Sequence, residues 1–259
     1  MSRKPFISVI MPIHNEEAYL PCSLESLKQI EDQIFEFIFV LDRCTDNSEA
    51  LVRRWFPDAR IVKKEICKWK NSIAENFQIG FEMSKGNIIC THDADATTPR
   101  NLLSLLDELK NDVASVAPTL FTYKEVSFLN RLYYYWERTR KFAPFGEEPR
   151  GALRLIRREC LEKVGGFKDF IAQETQLDID FRKAGYKSKV ATNVTYYHLR
   201  KFSFKKAIRG QIQAGKARKQ IRMPFWRVFG HAVLRLRPFI LYGYFFKKED
   251  NHEQTNYCR

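Results

Sequence analysis

Strand-like and helix-like stretches alternate through the first half of this chain, and that rhythm constrains its fold more than any other feature. "FISVIM", "IFEFIFVLD", "ARIVKK" and "NIICTHD" are short apolar runs that read as buried strands. Between them, "NEEAYLPCSLESLKQI", "TDNSEALVRRWF" and "NSIAENFQIGFEMSKG" carry apolar residues at helical spacing. Thr45, Asp46 and Ser48 offer caps for the second helix, and Gly86 ends the third. "PRNLLSLLDELKN" predicts a further helix with Pro99 in its first turn. The alternation predicts an α/β fold, a mainly parallel sheet with helices on both faces.

Beyond Asp112 the rhythm changes. "VASVAPTLF" and "GALRLIRR" read as strands separated by an aromatic helix, "VSFLNRLYYYWERTRKF". "GGFKDFIAQETQLDIDFRKAGYK" is a loop leading into a helix that Gly185 ends, and "SKVATNVTYYH" is a last strand. Two helices, 203–221 and 224–246, complete the reading. The expected organisation is one α/β domain over 1–200, with halves of about 1–112 and 113–200, and a helical segment over 201–259.

The charge is uneven. Of a net +13, all but one unit falls after Leu199, where fifteen Lys and Arg face three acids. Such a segment implies an anionic partner: phosphate groups, lipid headgroups or nucleic acid. The six cysteines (22, 44, 67, 90, 160 and 258) show neither a C-x-x-C pair nor metal-ligand spacing, which reads as packed thiols of a cytosolic protein. The apolar run in "MSRKPFISVIMP" is too short for a signal peptide, and no window of about eighteen residues lacks charge, so no membrane span is expected.

In open parallel sheets ligands bind beyond the carboxyl ends of the strands. Three strands here end in polar clusters, "PIHNEE", "DRCTDNS" and "HDAD", which converge on one edge carrying Glu16, Asp42, Asp93 and Asp95. That edge has neither a Gly-rich fingerprint nor a P-loop, so dinucleotide and P-loop readings lack their defining turn.

"FISVIMPIHNEEAYL", "FVLDRCTDNSEAL", "HDADATTP" and "GGF…RKAGYK", in this order and spacing, resemble glycosyltransferase family two, inverting sugar-nucleotide-dependent enzymes of GT-A fold. The similarity covers residues 6–198 and extends more loosely through "KAIRGQIQAGKARK". It implies a nucleoside-diphosphate sugar donor and a divalent cation, Mg2+ or Mn2+. Two carboxylates one residue apart suit such hard ions, which neutralise charge on a diphosphate leaving group. Taken singly, a D-x-D before a helix also fits a pair of Asx turns.

The resemblance makes Asp95 the direct metal ligand, with Asp93 on the ribose or on the metal's water shell. It places Ala94 between them at the nucleotide sugar, Pro12, His14 and Glu16 in the loop under the nucleoside, and Asp42 on the base. Helix capping is the competing reading for Asp42 and Asp46. Lys70 lies where the family has a lysine near the donor, and it equally fits an ordinary exposed lysine. His198, ending the last strand, matches a histidine near the metal or diphosphate. Arg209, Gln211, Lys216 and Arg218 fall on a basic helix that closes over the diphosphate.

Inverting transfer needs a general base. In the family this is the Asp of an acidic pair before the R-K-A-G-Y type sequence; here the pair is Gln173–Glu174, which makes Glu174 the candidate. Asp178 is the alternative, although Asp178 and Asp180 also fit a solvated face paired with Arg182 and Lys183. Other departures are His14 in place of an aromatic, and Ala214 where the basic helix has one.

"MPFWRVFGHAVLRLRPFILYGYFFKK" interleaves apolar side chains with arginines, a composition that suits a membrane interface. Tyr133, Tyr134, Tyr135 and Trp136 add residues that favour interfaces; packing against the catalytic domain or another subunit is the competing reading for both stretches. The resulting expectation is a peripheral protein on the cytoplasmic face of a membrane, acting on a lipid-linked or glycan acceptor such as a polyprenyl phosphate. Alternatives are a sugar-phosphate nucleotidyltransferase, whose Gly-rich N-terminal loop is absent here, and a nucleic-acid-binding protein using the basic tail. The second leaves the acidic edge unexplained, and no nucleic-acid partner is expected.

Overall fold

A computed structural model describes residues 6–138 and 153–246. Cys258, the last residues of the basic tail and the far end of the aromatic stretch lie outside them.

The elements run in the order β1 (Ile7–Ile13), α1 (Leu20–Lys28), β2 (Glu36–Asp42), α2 (Ser48–Trp55), β3 (Arg60–Lys64), α3 (Ser72–Met83) and β4 (Ile88–Thr91). Then come β5 (Val113–Thr122), α4 (Phe128–Arg138), β6 (Arg154–Arg157), α5 (Arg158–Lys163), α6 (Gln173–Lys183) and β7 (Lys187–His198). Three helices follow, α7 (Phe204–Gln220), α8 (Phe225–Leu234) and α9 (Phe239–Phe245). The strands form one sheet in the order β3-β2-β1-β4-β6-β5-β7. Every pairing is parallel except those of β6, which lies antiparallel to both β4 and β5. Strands from both sides of Asp112 thus share one sheet.

Alternation along the strands divides the core into two layers. Val9, Met11, Phe37, Phe39 and Leu41 pack under α1 and α2 with Leu20, Leu24, Val52 and Phe56. On the other face Ile10, Ile89 and Ile156 meet Phe77, Phe81, Phe167, Leu177 and Phe181 from α3, α6 and the loop before α6. The predicted covering of both faces is what the structure contains.

Two expectations need correction. "PRNLLSLLDELKN" forms a 3₁₀ helix over Leu102–Glu108, not an α-helix. Its buried residues, Leu102 and Leu105, recur every third position, which suits the 3₁₀ period. The stretch 224–246 is two helices, because Pro238 can neither donate to residue 234 nor fit the preceding turn. Leu236, with φ of 49°, makes the break. The aromatic cluster of α4 divides between the two readings open to it. Tyr133 stacks on Trp136 and Phe202, and Tyr134 packs on Phe121. Phe128, Leu132 and Tyr135 are the exposed ones.

Candidate active site

The carboxyl ends of β1, β2 and β4 are neighbours in the sheet, so the three polar clusters do converge. Backbone strain marks two of the exits: Asn15 and Arg43 are non-glycine residues with φ of 52° and 51°. Asn15 is fastened there because its Oδ1 accepts the Thr45 N–H at 2.7 Å, tying the β1 exit to the β2 exit.

The β4 exit is built around His92, which is fully buried. Its Nε2 pairs with Thr98 Oγ1 at 2.8 Å and its Nδ1 with Asp93 O at 2.7 Å; burial depresses its pKa and keeps the ring neutral. The turn that follows zips onto the end of β7. Thr97 N–H donates to Tyr197 O, Tyr197 N–H to Thr97 Oγ1 and Leu199 N–H to Asp95 O, each at about 3 Å. These bonds carry His198 to Asp93, with Nε2 to Oδ2 at 3.3 Å. One ligand atom each from Asp93, Asp95 and His198 lies within 4.8 Å of the others. Two carboxylates and an imidazole so disposed are a donor set that fits one divalent cation.

The site balances its own charge. Burial disfavours the His198 imidazolium, but the hydrogen bond and charge of Asp93, with the charge of Asp95, raise its pKa to about 9. A second cation is Arg200, whose Nε donates to Asp95 and whose Nη2 donates to Glu16. Burial pushes the Glu16 carboxyl up to about 7 against the pull of Arg200, with Asp95 and Asp93 adding to the rise. Sequence reasoning counted Arg200 only as part of a basic tail. The available signal was its place two residues after His198, since alternate residues of an extended chain share a side.

Asp42 ends β2 as expected, but it is 3% exposed and turned inward. Its carboxylate accepts from Arg43 Nε at 2.8 Å, Asn76 Nδ2 at 3.1 Å and Ser72 Oγ, with Lys64 Nζ at 3.3 Å. Lys64 reaches on to Glu75 at 3.1 Å, completing a buried ionic network that no sequence motif announced. Burial works to raise the Asp42 pKa, and these donors outweigh it, holding the carboxyl below its ordinary range. Capping does not account for Asp42. Asp46 instead braces the turn, accepting from the Ser48 and Glu17 N–H groups.

Pro12 lies within β1 opposite Val40, and the His14 ring contacts Asp42 O at 2.6 Å through Nδ1. Ala94 is buried between the two aspartates. The Lys70 side chain is exposed, and its N–H donates to Asp169 at 2.9 Å.

Gln173 and Glu174 open α6 beside a recess lined also by Thr91, Arg154, Phe77 and Phe167. Burial raises the Glu174 pKa; Arg154 opposes, and Asp93 and Asp178 add to the rise. Asp178 is committed elsewhere, accepting from the buried Arg154 guanidinium at 2.7 and 3.3 Å. Asp180 pairs with Lys168 at 2.7 Å, not with Arg182 or Lys183 as expected. On α7, Arg209 is exposed, Lys216 is half-buried, Gln211 Oε1 accepts the Phe239 N–H at 3.3 Å, and Arg218 donates to Ala214 O at 2.8 Å. Gln211 therefore fastens α9 to α7.

The model of the family described as Glycosyl transferase family 2 matches residues 8–165. The chain is 28% identical over 210 residues to "Probable glycosyltransferase YdaM" of Bacillus subtilis (strain 168), covering 72% of this chain and 49% of that protein. It is 31% identical over 121 residues to the undecaprenyl-phosphate 4-deoxy-4-formamido-L-arabinose transferase of Shewanella sediminis (strain HAW-EB3), covering 43% of this chain and 36% of that one. The chain thus spans about half or less of the length of these relatives. Among solved structures, it is similar to mannosyltransferase PcManGT from Pyrobaculum calidifontis in complex with GDP-Man and Mn2+, with a TM-score of 0.65, 21% identity, and coverage of 94% and 70% of the two chains. Glucosyl-3-phosphoglycerate synthase from Mycobacterium tuberculosis, in complex with Mn2+, UDP-glucose and phosphoglyceric acid, gives a TM-score of 0.56 at 18% identity, covering 81% and 78%. At these identities the two structures show a shared fold.

Proposed function

The chain belongs to glycosyl transferase family 2, and from that premise we propose that it moves a sugar, with inversion, from a nucleoside-diphosphate sugar to a lipid-linked acceptor. The observation that carries the reading is the meeting of Asp93, Asp95 and His198 within 4.8 Å at the ligand-binding edge of the sheet, beside the recess that Glu174 lines. The structural relatives support the donor and the ion, one being titled with GDP-Man and Mn2+, the other with UDP-glucose and Mn2+. The acceptor class is supported by the relative named for undecaprenyl phosphate.

In this reading Asp93, Asp95 and His198 hold Mg2+ or Mn2+, which when bound neutralises charge on the departing diphosphate. His198 must give up its proton to act as a ligand. Glu174 takes the proton of an acceptor hydroxyl. Its raised pKa suits a base, because a carboxyl with a higher pKa is a stronger proton acceptor once ionised. Asp178 is ill placed for that role, since its charge is spent on Arg154. Pro12, His14, Glu16, Ala94 and Lys70 belong to the donor side. Asp42 supports that side from within, and reading the base directly would require it to exchange one of its internal partners. Arg209, Lys216 and Arg218 are the cations that α7 offers to the diphosphate.

The test is thermal shift of the full chain with UDP, GDP and dTDP, each with and without Mn2+, followed by hydrolysis of the matching nucleotide sugar. One nucleotide should stabilise the chain only when metal is present, and Asp95→Asn should abolish the effect. A nucleotide shift indifferent to both chelator and Asp95→Asn overturns the assignment.

A further inference from the structure

The C-terminal helices carry an exposed face that the proposed reaction leaves unused. Between Phe225 and Phe246, ten large apolar side chains are at least 41% exposed. Periodicity gathers most of them on one side. In α8, Trp226, Phe229 and Val233 point outward while Val228, His231 and Ala232 are buried. In and just after α9, Phe239, Tyr242 and Phe246 point outward while Ile240 and Gly243 are buried.

Close packing of α9 on α7 fixes this outward roll. A Cβ on Gly243 would lie 2.0 Å from Ile212 O, and one on Gly215 would lie 2.1 Å from Ile240 O. The two backbones touch where side chains are missing, so α9 cannot turn its aromatic face inward without losing that seat.

Charge identifies what covers the face. From Lys201 to Phe246 there are eleven Lys and Arg and not one Asp or Glu. Lys201, Lys205, Lys206, Arg222 and Arg227, none of them assigned to the diphosphate, are exposed. A second copy applying the same face would bring two such sets together with no carboxylate of the described residues 201–246 between them. A nucleic acid would answer the charge but would leave Val233, Leu234 and Leu236 wet. The aromatics also occupy one another, with ring centroids of Phe225–Phe229 at 6.0 Å and Phe225–Phe245 at 5.3 Å. An anionic lipid surface meets both demands, acyl chains for the apolar side chains and headgroups for the cations.

We infer that the α8–α9 face seats the protein on an anionic lipid bilayer. No helix among the described residues is long and apolar enough to cross a membrane, so this seat lies in the interface plane. The seat reaches the candidate active site through α7, on which α9 packs, and a short link from α7 to the end of β7. Asn130 of α4 holds that link at both ends, donating Nδ2 to Arg200 O at 3.0 Å and accepting the Phe202 N–H on Oδ1 at 2.7 Å. The bearing of the seat on a lipid-linked acceptor rests on the function proposed above; the seat itself does not.

Vesicle flotation of the full chain tests it, comparing phosphatidylcholine alone with phosphatidylcholine containing phosphatidylglycerol. Wild type should float with the anionic vesicles, and added salt should release it. Trp226→Ser/Phe229→Ser and Arg222→Glu/Arg227→Glu should each weaken binding by at least about tenfold. These side chains are exposed, so both variants should keep the wild-type melting temperature and the wild-type response to Mn2+ with nucleotide. Equal binding to neutral vesicles, or unchanged binding by both variants, overturns the inference. So does a wild-type dimer in light scattering that Trp226→Ser/Phe229→Ser dissociates. If nucleotide and Mn2+ shift the protein but vesicles do not bind, the seat falls and the enzyme reading stands; the reverse outcome spares the seat.

Discussion

Arg200 stands against Asp95, one of the three residues assigned to the metal, and this predicts that the protein's own side chain competes with the ion. In the proposed reading, a cation held through the Asp95 oxygen that Arg200 engages would displace the guanidinium, and swinging that side chain clear of the site would give up Glu16 as well. Each charged hydrogen bond of this kind contributes about 1.5–3 kcal/mol when buried. The Arg200 side chain is 39% exposed, against 12% and 13% for its partners, so solvent screening reduces each contact to about 1 kcal/mol. Two contacts give about 2 kcal/mol, which is about thirtyfold in an apparent dissociation constant. Arg200→Gln should therefore bind Mn2+ alone about thirtyfold more tightly than wild type, measured by loss of the free-ion electron paramagnetic resonance signal. The comparison belongs at about pH 8, above the Glu16 pKa of about 7, where both carboxylates hold the arginine. The same variant should melt lower than wild type in chelator, because three carboxylates then lose one of their two internal cations. Mn2+ affinity that is unchanged or weaker in Arg200→Gln would refute the competition and leave Arg200 as a structural brace.

Glu174→Gln should lower turnover by about 10²–10⁴-fold on a hydroxyl acceptor and by less than about tenfold on a lipid phosphate, which arrives already deprotonated. With the hydroxyl acceptor, the acid limb of the wild-type pH–rate profile should lie above the ordinary carboxylate range, as the raised Glu174 pKa requires, and the variant should lose it. Asp42 and Glu75 both have folded pKa values below their ordinary ones, Asp42 through Arg43, Ser72, Asn76 and Lys64, Glu75 through the Lys68 N–H and Lys64, in each case overcoming burial. Their stabilisation is therefore complete above the unfolded carboxylate range of about 4 and is lost as pH falls through the depressed folded values. Acid unfolding of wild type should steepen there, and Asp42→Asn should flatten that part of the curve. Gly243→Ala should destabilise by about 1–3 kcal/mol through the clash with Ile212 O, read as a lower melting temperature.

What the sequence disclosed depended on how local each feature is. β1, β2 and β4 were legible because a strand buried on both faces is a continuous apolar run, and the polar residue that ends each run marks the sheet edge. Glu16, Asp93 and Asp95 could be named from that rule alone. The antiparallel placement of β6 could not, because four residues carry no record of which neighbours they will pair with. The inward turn of Asp42 was equally hidden. It follows from Lys64 at the end of the adjacent β3 and from Ser72 and Asn76 one helical turn apart on α3, three elements whose meeting is decided by the sheet order.

Arg200 shows why a count of charge misleads when it is not resolved in space. The net charge beyond Leu199 suggested a single basic appendage facing an anionic partner. The structure divides that charge. Arg200 is drawn back to the carboxylates by the pairing of the 93–97 turn with the end of β7, while α7 and α8 carry exposed lysines and arginines. One stretch of chain therefore carries two electrostatic tasks, and the link held by Asn130 separates them. A positively charged protein can gather three carboxylates at a strand edge because His198 and Arg200 pair with them. In the proposed reading, a divalent cation held by Asp93, Asp95 and His198 would replace the charge of Arg200 and of the His198 proton, so the cluster would stay nearly balanced and the sheet that positions it undisturbed.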